Sequence, residues 1–189
     1  MAEFAAHGAN QEEKMAAGII PEKLINYNLF VDGSRSESAI VDVDLPDVQF
    51  MSENITGAGI AGEIESPTLG HTSPLNMTLN IRTLIDEDFK YLEPRAYSLE
   101  IKAGMQSYNQ SEGKIQVKKL SVMVKGTPKG FSLGKASVGK PTDSKREFAV
   151  TYLKVEYEGK EVLEIDKTNM IFKVNGTDFL VDLRAAMGM

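Results

Sequence analysis

The 189-residue sequence has no cysteine, no tryptophan and only two histidines, His7 and His71. Without a thiol there can be no disulfide, no Cys-ligated zinc, no iron–sulfur cluster and no cysteine nucleophile. Two histidines exclude a His-rich metal site and most nucleophile–His–acid triads. Aromatic residues make up 7%, which disfavours a monomeric β-sandwich module gripping a glycan or peptide with a cluster of rings. No apolar run approaches the ~20 residues of a membrane-spanning helix. Residues 1–18, with six alanines and several charges, lack the continuous apolar segment of a secretory signal. Basic residues are the minority, 21 against 27 acidic, for a net charge of −6. Like charges repel, so general binding to nucleic acid or to an anionic membrane is not expected.

The 42% of apolar residues is enough for a buried core and suits one domain of ordinary size. Residues 1–18 are expected to be a disordered arm or an added leader, with residues 19–189 forming the single domain. The distribution of charge says more than its sum: residues 1–101 carry −11, residues 102–146 carry +8 and residues 147–189 carry −3. A Lys-rich hairpin in solvent would account for the basic block. So would a surface that meets an acidic partner or another copy of the chain.

Period-two alternation dominates from Ile19 onward. Tyr27 to Asp32 ends at Gly33, a strand followed by a turn. Ala39 to Leu45 places Val41, Val43 and Leu45 opposite Asp42 and Asp44. Asn76 to Arg82 places Met77, Leu79 and Ile81 opposite Asn76, Thr78, Asn80 and Arg82. Tyr97, Leu99 and Ile101 oppose Ser98, Glu100 and Lys102. The longer runs 114–125 and 148–157 each change phase once, near Lys118-Lys119 and near Tyr152-Leu153, as a bulge or a change of packing partner requires. Ser111 to Gly113 and Glu158-Gly159 supply tight turns. Two short helices are predicted. One runs from Ile85 to Leu92 with Ile85, Phe89 and Leu92 on its apolar face, an acidic start and Pro94 as its stop. The other has Phe179, Leu180, Leu183 and Met187 on one face, Thr177 or Asp178 as cap and Gly188 as terminator. Two stretches read as loops: residues 46–74, unusually long for a compact domain, and residues 126–143.

Motifs for chemistry are weak. Gly57-Ala-Gly-Ile-Ala-Gly62 matches G-x-G-x-x-G, yet Pro67 prevents the long helix that a dinucleotide site needs, and no βαβ pattern surrounds it. Those glycines are expected to serve a protruding loop through positive φ or close backbone approach. The carboxylate pairs Asp42/Asp44, Glu63/Glu65 and Glu156/Glu158 alternate on strand faces where nothing signals the burial that raises a catalytic pKa. Glu161, Glu164, Asp166 and Asp178 lack calcium-loop spacing. The basic block has only Tyr108 and Phe131 for base stacking. No catalytic residue, cofactor or metal site is therefore expected. A β-rich chain with a long Gly/Pro loop and segregated charge has the profile of an assembly protein.

Six ordered segments carry a family resemblance: Ile20 to Gly33, ITGAGIAGEIESPTLGH (Ile55 to His71), NMTLNIRT (Asn76 to Thr83), KGTPKGFSLG (Lys125 to Gly134), VTYLKVEYEGKEVLEID (Val150 to Asp166) and VNGTDFLVDLRAAMG (Val174 to Gly188). Together the sequence resembles the major tail tube proteins of contractile-tailed bacteriophages, related to bacteriocin tail tubes and the type VI secretion tube. The resemblance implies a mainly β fold, a small barrel or sandwich with one or two short flanking helices. It also implies hexameric rings that stack into a hollow tube, each subunit giving strands to a ring-wide inner barrel. A structural, non-enzymatic role in the virion tail follows, with assembly in the bacterial host cytoplasm; a headless bacteriocin or secretion tube is the alternative. The implied partners are the chain itself, the tail sheath, tape-measure, initiator and terminator proteins, and DNA in transit. On the long loop, Ile55, Gly57, Gly59, Ile60, Gly62, Glu63, Glu65 and Leu69 are expected to reach another subunit or ring. Asn76, Thr78 and Asn80 are expected to face the lumen.

Overall fold

The computed structural model describes residues 18–38 and 40–189. The expected leader therefore lies, apart from Gly18, outside the described residues, as does His7. The described chain is mainly β. Its strands are β1 (Ile19–Val31), β2 (Ser34–Arg35), β3 (Ile40–Asp44), β4 (Phe50–Ile55), β5 (Ile64–Thr72), β6 (Leu75–Ile81), β7 (Tyr97–Asn109), β8 (Lys114–Ser132), β9 (Ser144–Tyr157), β10 (Lys160–Asp166), β11 (Ile171–Val174) and β12 (Thr177–Asp178). A 3₁₀ helix spans Asp86–Leu92 and α1 spans Val181–Ala186.

Among the described residues ten strands make one antiparallel sheet with the path β12-β11-β10-β9-β8-β7-β1-β2, joined by β3 and β6, while β4 and β5 pair only with each other. The large sheet forks along β9. Its first half, Ser144 to Val150, pairs with β6, and β6 pairs with β3; its second half, Tyr152 to Tyr157, pairs with β10. The fork coincides with a bulge at Thr151, since Lys125 faces Tyr152 but Gly126 faces Val150. An extra residue on one strand bends it and re-aims its side chains, so the phase change near Tyr152-Leu153 has a backbone cause. The phase change at Lys118-Lys119 has a different one. There β7 and β8 pair without interruption, and Ile115 and Val117 belong to the face opposite Leu120, Val122 and Val124.

Alternation delivers the core as expected. Leu75, Met77, Leu79 and Ile81 of β6 are each 1% exposed, and the first three share a core with Tyr97, Leu99 and Ile101 of β7, Val122 and Val124 of β8, and Phe148 and Val150 of β9, all buried. In β3, however, Val41 and Leu45 are exposed and Val43 is only half-buried. A register shift between Ile40 and Asp42 breaks the simple alternation.

The segment 126–132, expected to begin a loop, continues β8. Beyond Gly126 the strand has β9 on one side and no partner from β7 on the other, so Pro128 sits on an edge, where its missing N–H costs no ladder bond. Gly126 allows close packing: a Cβ there would lie 3.2 Å from Phe148 Cβ and 3.1 Å from the Ala149 carbonyl oxygen.

The first predicted helix is a 3₁₀ helix and turns a different face inward. Phe89 and Leu92 are about half exposed, whereas Asp88 and Tyr91 are buried. Three residues per turn align positions 88 and 91, and an ion pair fixes that choice. Arg146 Nη2 lies 2.7 Å from Asp88 Oδ1, with both side chains almost fully buried. Asp88 also accepts hydrogen bonds from Ser38 Oγ (2.5 Å) and the Ile85 N–H (2.9 Å). The guanidinium spends its remaining surface on the Tyr91 and Phe131 rings, 4.7 and 5.5 Å from their centroids. The pair joins β9, the 3₁₀ helix and the approach to β3. Around α1, its N-cap Leu180 is buried and Leu183 half-buried, but Phe179 before the helix and its C-cap Met187 are about half exposed. Gly188 takes the expected positive φ at its end.

Candidate assembly surfaces

Residues 46–74 are not an irregular loop but carry the β4–β5 hairpin. Its pattern is hard to see in sequence because a register shift between Phe50 and Ser52 and Pro67 and Gly70 in β5 break the alternation. The base of the hairpin is riveted to the β10–β11 side of the body. Phe50 packs edge-on against Phe172 at 5.5 Å. Lys167 Nζ donates to the Thr72 and Ser73 carbonyls at 3.2 and 2.7 Å. Burial pulls the Lys167 ammonium below the ordinary lysine range, because desolvation disfavours charge. Gly70, at φ +69°, lies under Leu180, whose Cδ2 would be 2.6 Å from any Cβ placed there; no other residue leaves that space.

Away from its base the hairpin is amphipathic, and its apolar side chains are uncovered among the described residues. Ile55 faces Ile64 and Glu53 faces Ser66 across the ladder, which puts the two isoleucines on one face. Met51, Ile55 and Ile64 are 54%, 48% and 54% exposed. The other face is polar: Ser52 donates to Glu65, and Asn54 Nδ2 donates to Glu63 Oε2 at 3.1 Å. Leu69 is 59% exposed. The connection 56–63 forms no helix. Gly59 and Gly62 adopt positive φ, with open space where a Cβ would be, so backbone conformation alone requires glycine there. Ile60 in this connection is half-buried.

On the outer face of β6, Asn76, Thr78 and Asn80 project opposite the buried Met77 and Leu79. Thr78 pairs in register with Asp44 and Glu147, and Asn80 with Asp42 and Lys145. Asn80 Nδ2 donates to both Asp42 and Asp44, while Lys129 Nζ donates to Asn76 Oδ1 at 3.2 Å. The result is a wet face of acids and amides with lysines at its margin.

The same sheet carries a ladder of alternating charge from β7 to β11. Its pairs are Lys102–Glu100 (3.2 Å), Lys154–Glu156 (2.8 Å), Lys154–Glu161 (3.4 Å) and Lys173–Glu164 (2.6 Å). The Lys173 hydrogen bond holds the Glu164 carboxyl below its ordinary range. Burial, then the Glu164 carboxylate it donates to, pushes the Tyr152 phenol up to about 12. Each carboxylate is matched to a lysine, so this is an ordered polar surface and not an acid–base pair poised for catalysis. In sequence Glu161 and Glu164 stand only as candidate oxygen ligands without calcium-loop spacing; the ladder depends on strand register and is not visible there.

A third surface was also invisible in the sequence. Beyond the core, β1 from Ile19 to Asn26, β7 from Gly104 to Asn109 and β8 from Lys114 to Leu120 continue as a three-stranded blade. Ile20, Tyr108 and Ile115 lie side by side on its outer face, with Val117 in the next row beside Gln106 and Lys23. Ile20, Ile115 and Val117 are 43%, 64% and 63% exposed.

These features define a class: a β-rich subunit with a hydrated sheet face and apolar surfaces left uncovered, a wall-forming protein. Comparison with known proteins narrows it. The family described as phage tail tube protein FII matches residues 21–188. The tail tube protein of Escherichia phage P2 is 28% identical over 170 residues, covering 90% of this chain and 99% of that one. The major tail tube protein of Serratia phage KSP20 is 24% identical over 171 residues, covering 90% and 98%. Two solved structures share the fold at low identity. A sheath/tube terminator of the extracellular contractile injection system PVC has a TM-score of 0.53 at 10% identity, covering 72% of this chain and 96% of its own. A sheath–tube complex of that system gives 0.52 at 11%, covering 72% and 90%. The chain belongs to the phage tail tube protein FII family. It is a structural subunit of a phage tail tube; the family is not an enzyme class, and phage tail tube proteins are virion components.

Proposed function

We propose that the subunits close into hexameric rings that stack head-to-tail into a hollow conduit for DNA, wrapped by a contractile sheath. The observation that carries this reading is the β4–β5 hairpin, rigidly anchored at its base by Phe50, Gly70 and Lys167 yet apolar and uncovered beyond it. Uncovered apolar area of this kind marks an interaction site. Ile55, Gly57, Gly59, Ile60, Gly62, Glu63, Glu65 and Leu69 then belong to an arm that engages another subunit. Among the described residues the outer edge of β1 along Ile19 to Asn28 has no strand partner, which supports a ring-wide barrel, because closure is how sheets dispose of unpaired edges. Asn76, Thr78 and Asn80 would line the channel, where Asp42, Asp44 and Glu147 repel phosphate and let DNA slide.

Contacts of this heterologous kind extend without closing, so other proteins must set the tube's ends and length. Terminator, initiator and tape-measure proteins are the partners this requires, and the sheath is the partner outside. The terminator and sheath–tube complexes among the structural relatives support the choice. Assembly would take place in the host cytoplasm. Deleting Gly57 to Gly62 should give folded, soluble subunits that no longer polymerise, seen by negative-stain electron microscopy. Normal tubes from that variant would overturn the role of the arm.

A further inference from the structure

We infer that the apolar face of the β4–β5 hairpin docks on the outer face of the β1–β7–β8 blade of a second copy of this chain. The inference rests on the tube reading and adds the receiving surface to it.

The two surfaces match in chemistry. The hairpin offers Met51, Ile55 and Ile64 on one face. The blade offers Ile20, Ile115 and Val117, which among the described residues stay 43%, 64% and 63% exposed. Both are strips of β-structure, and apolar strips of this width exclude water from each other when stacked.

Charge selects the pairing over self-association of either surface. Residues 36–81 contain seven Asp and Glu and no Lys or Arg, so the hairpin rises from a wholly acidic stretch. The blade carries Lys23, Lys114, Lys118 and Lys119 against Glu22 and Glu112. Hairpin on hairpin and blade on blade would each bring like charges together, whereas hairpin on blade brings Glu53 toward Lys23 and Lys119 on the same outer face. Position completes the argument. The hairpin is fixed to the β10–β11 side of the sheet, whereas the blade is built from β1, β7 and β8. Two complementary surfaces made of different strands of one subunit produce a head-to-tail series.

The absence of cysteine makes the test clean. Full-length Ile55→Cys and Val117→Cys variants are mixed in equal amounts under assembly conditions, oxidised and run on a non-reducing gel. An Ile55→Cys with Lys160→Cys mixture, whose second site lies at the β9–β10 turn, is the control. The expected result is a mixed 55–117 dimer at least tenfold over the 55–160 pair. Tubes visible in the micrograph with no excess of the 55–117 product would overturn this docking and leave the tube reading intact. Wild-type protein that forms neither rings nor tubes would overturn both.

Discussion

Strand β6 and the β4–β5 hairpin are neighbours in the chain, joined through Ser73 and Pro74, and they place their apolar side chains in opposite environments. β6 buries Leu75, Met77, Leu79 and Ile81 to 1% exposure, while Met51, Ile55 and Ile64 stay about half exposed. The residue types are alike. The difference lies in what covers them: β6 is sandwiched between β3 and β9 over a shared core, and the hairpin pairs only with itself. Apolar burial contributes roughly 25 cal/mol per Å² wherever the area is covered. β6 collects that contribution when the subunit folds, whereas under the proposed role of the arm the exposed face of the hairpin collects it when subunits meet. On that proposal apolar area serves folding in one segment and association in the next.

The sharpest way to break this contrast is to truncate on each side of it. Leu79→Ala removes a side chain that is 1% exposed and leaves a cavity in the core. A loss of about 2–5 kcal/mol of unfolding free energy is expected, measured as a shift in the denaturant midpoint without a change in slope. A loss below about 1 kcal/mol would mean that β6 is not the core strand its burial indicates.

A smaller effect is expected where the hairpin base meets the C-terminal segment. Asp178 accepts hydrogen bonds from Arg184 Nη2 (2.6 Å) and from the Leu180 N–H (3.0 Å), and the Arg184 contact holds its carboxyl below the ordinary range. A carboxyl depressed in the folded state adds stability that is fully present above its unfolded pKa, about 4. That stability is lost as pH falls through the folded value. The contacts seat Leu180 over Gly70, so docking of the C-terminal segment should loosen in acid. Asp178→Asn is expected to cost about 1 kcal/mol at pH 7 and to flatten the fall in unfolding midpoint between neutral pH and pH 3. Glu164 is held down in the same sense by Lys173, so part of the acid slope should survive. An unchanged slope would show that Asp178 does not link the hairpin base to α1.

How much of this was legible in the sequence follows from which forces are local. The alternation of Met77, Leu79 and Ile81, or of Tyr97, Leu99 and Ile101, is a period-two signal that survives in any sheet, and both strands came out with the expected faces. The turns at Ser111 to Gly113 and at Glu158-Gly159 are likewise local, the latter with both residues at positive φ. The hairpin within 46–74 and the extension of β8 past Gly126 look like loops in sequence, because Gly and Pro break strands unless they occupy an edge or a bulge, and the sequence does not show which edge they occupy. Helical spacing predicts Phe89 and Leu92 on the inner face of the 3₁₀ helix, and the buried Asp88–Arg146 pair reverses that. No local pattern announces a pair 58 positions apart. Of the candidate site, the arm and the polar face of β6 were visible as segments. The blade and the charge ladder were not, since both arise from register between distant strands.

The smallest effect on the isolated subunit carries the most information about the contrast. Ile64 is 54% exposed and lies across from Ile55, so Ile64→Ser removes little area that folding had covered. Unfolding free energy should change by no more than about 0.5 kcal/mol, the usual range for surface positions. If the apolar face of the hairpin is reserved for another copy, that same change should sharply lower the yield of tubes at a given protein concentration. Sedimentation of assembled material, run beside thermal unfolding of the free subunit, measures both quantities on one preparation. Loss of stability and loss of tubes together would place Ile64 with β6, as a residue of the fold. Tubes lost at unchanged stability would separate the two segments, because only area buried between subunits can matter to the polymer and not to the monomer.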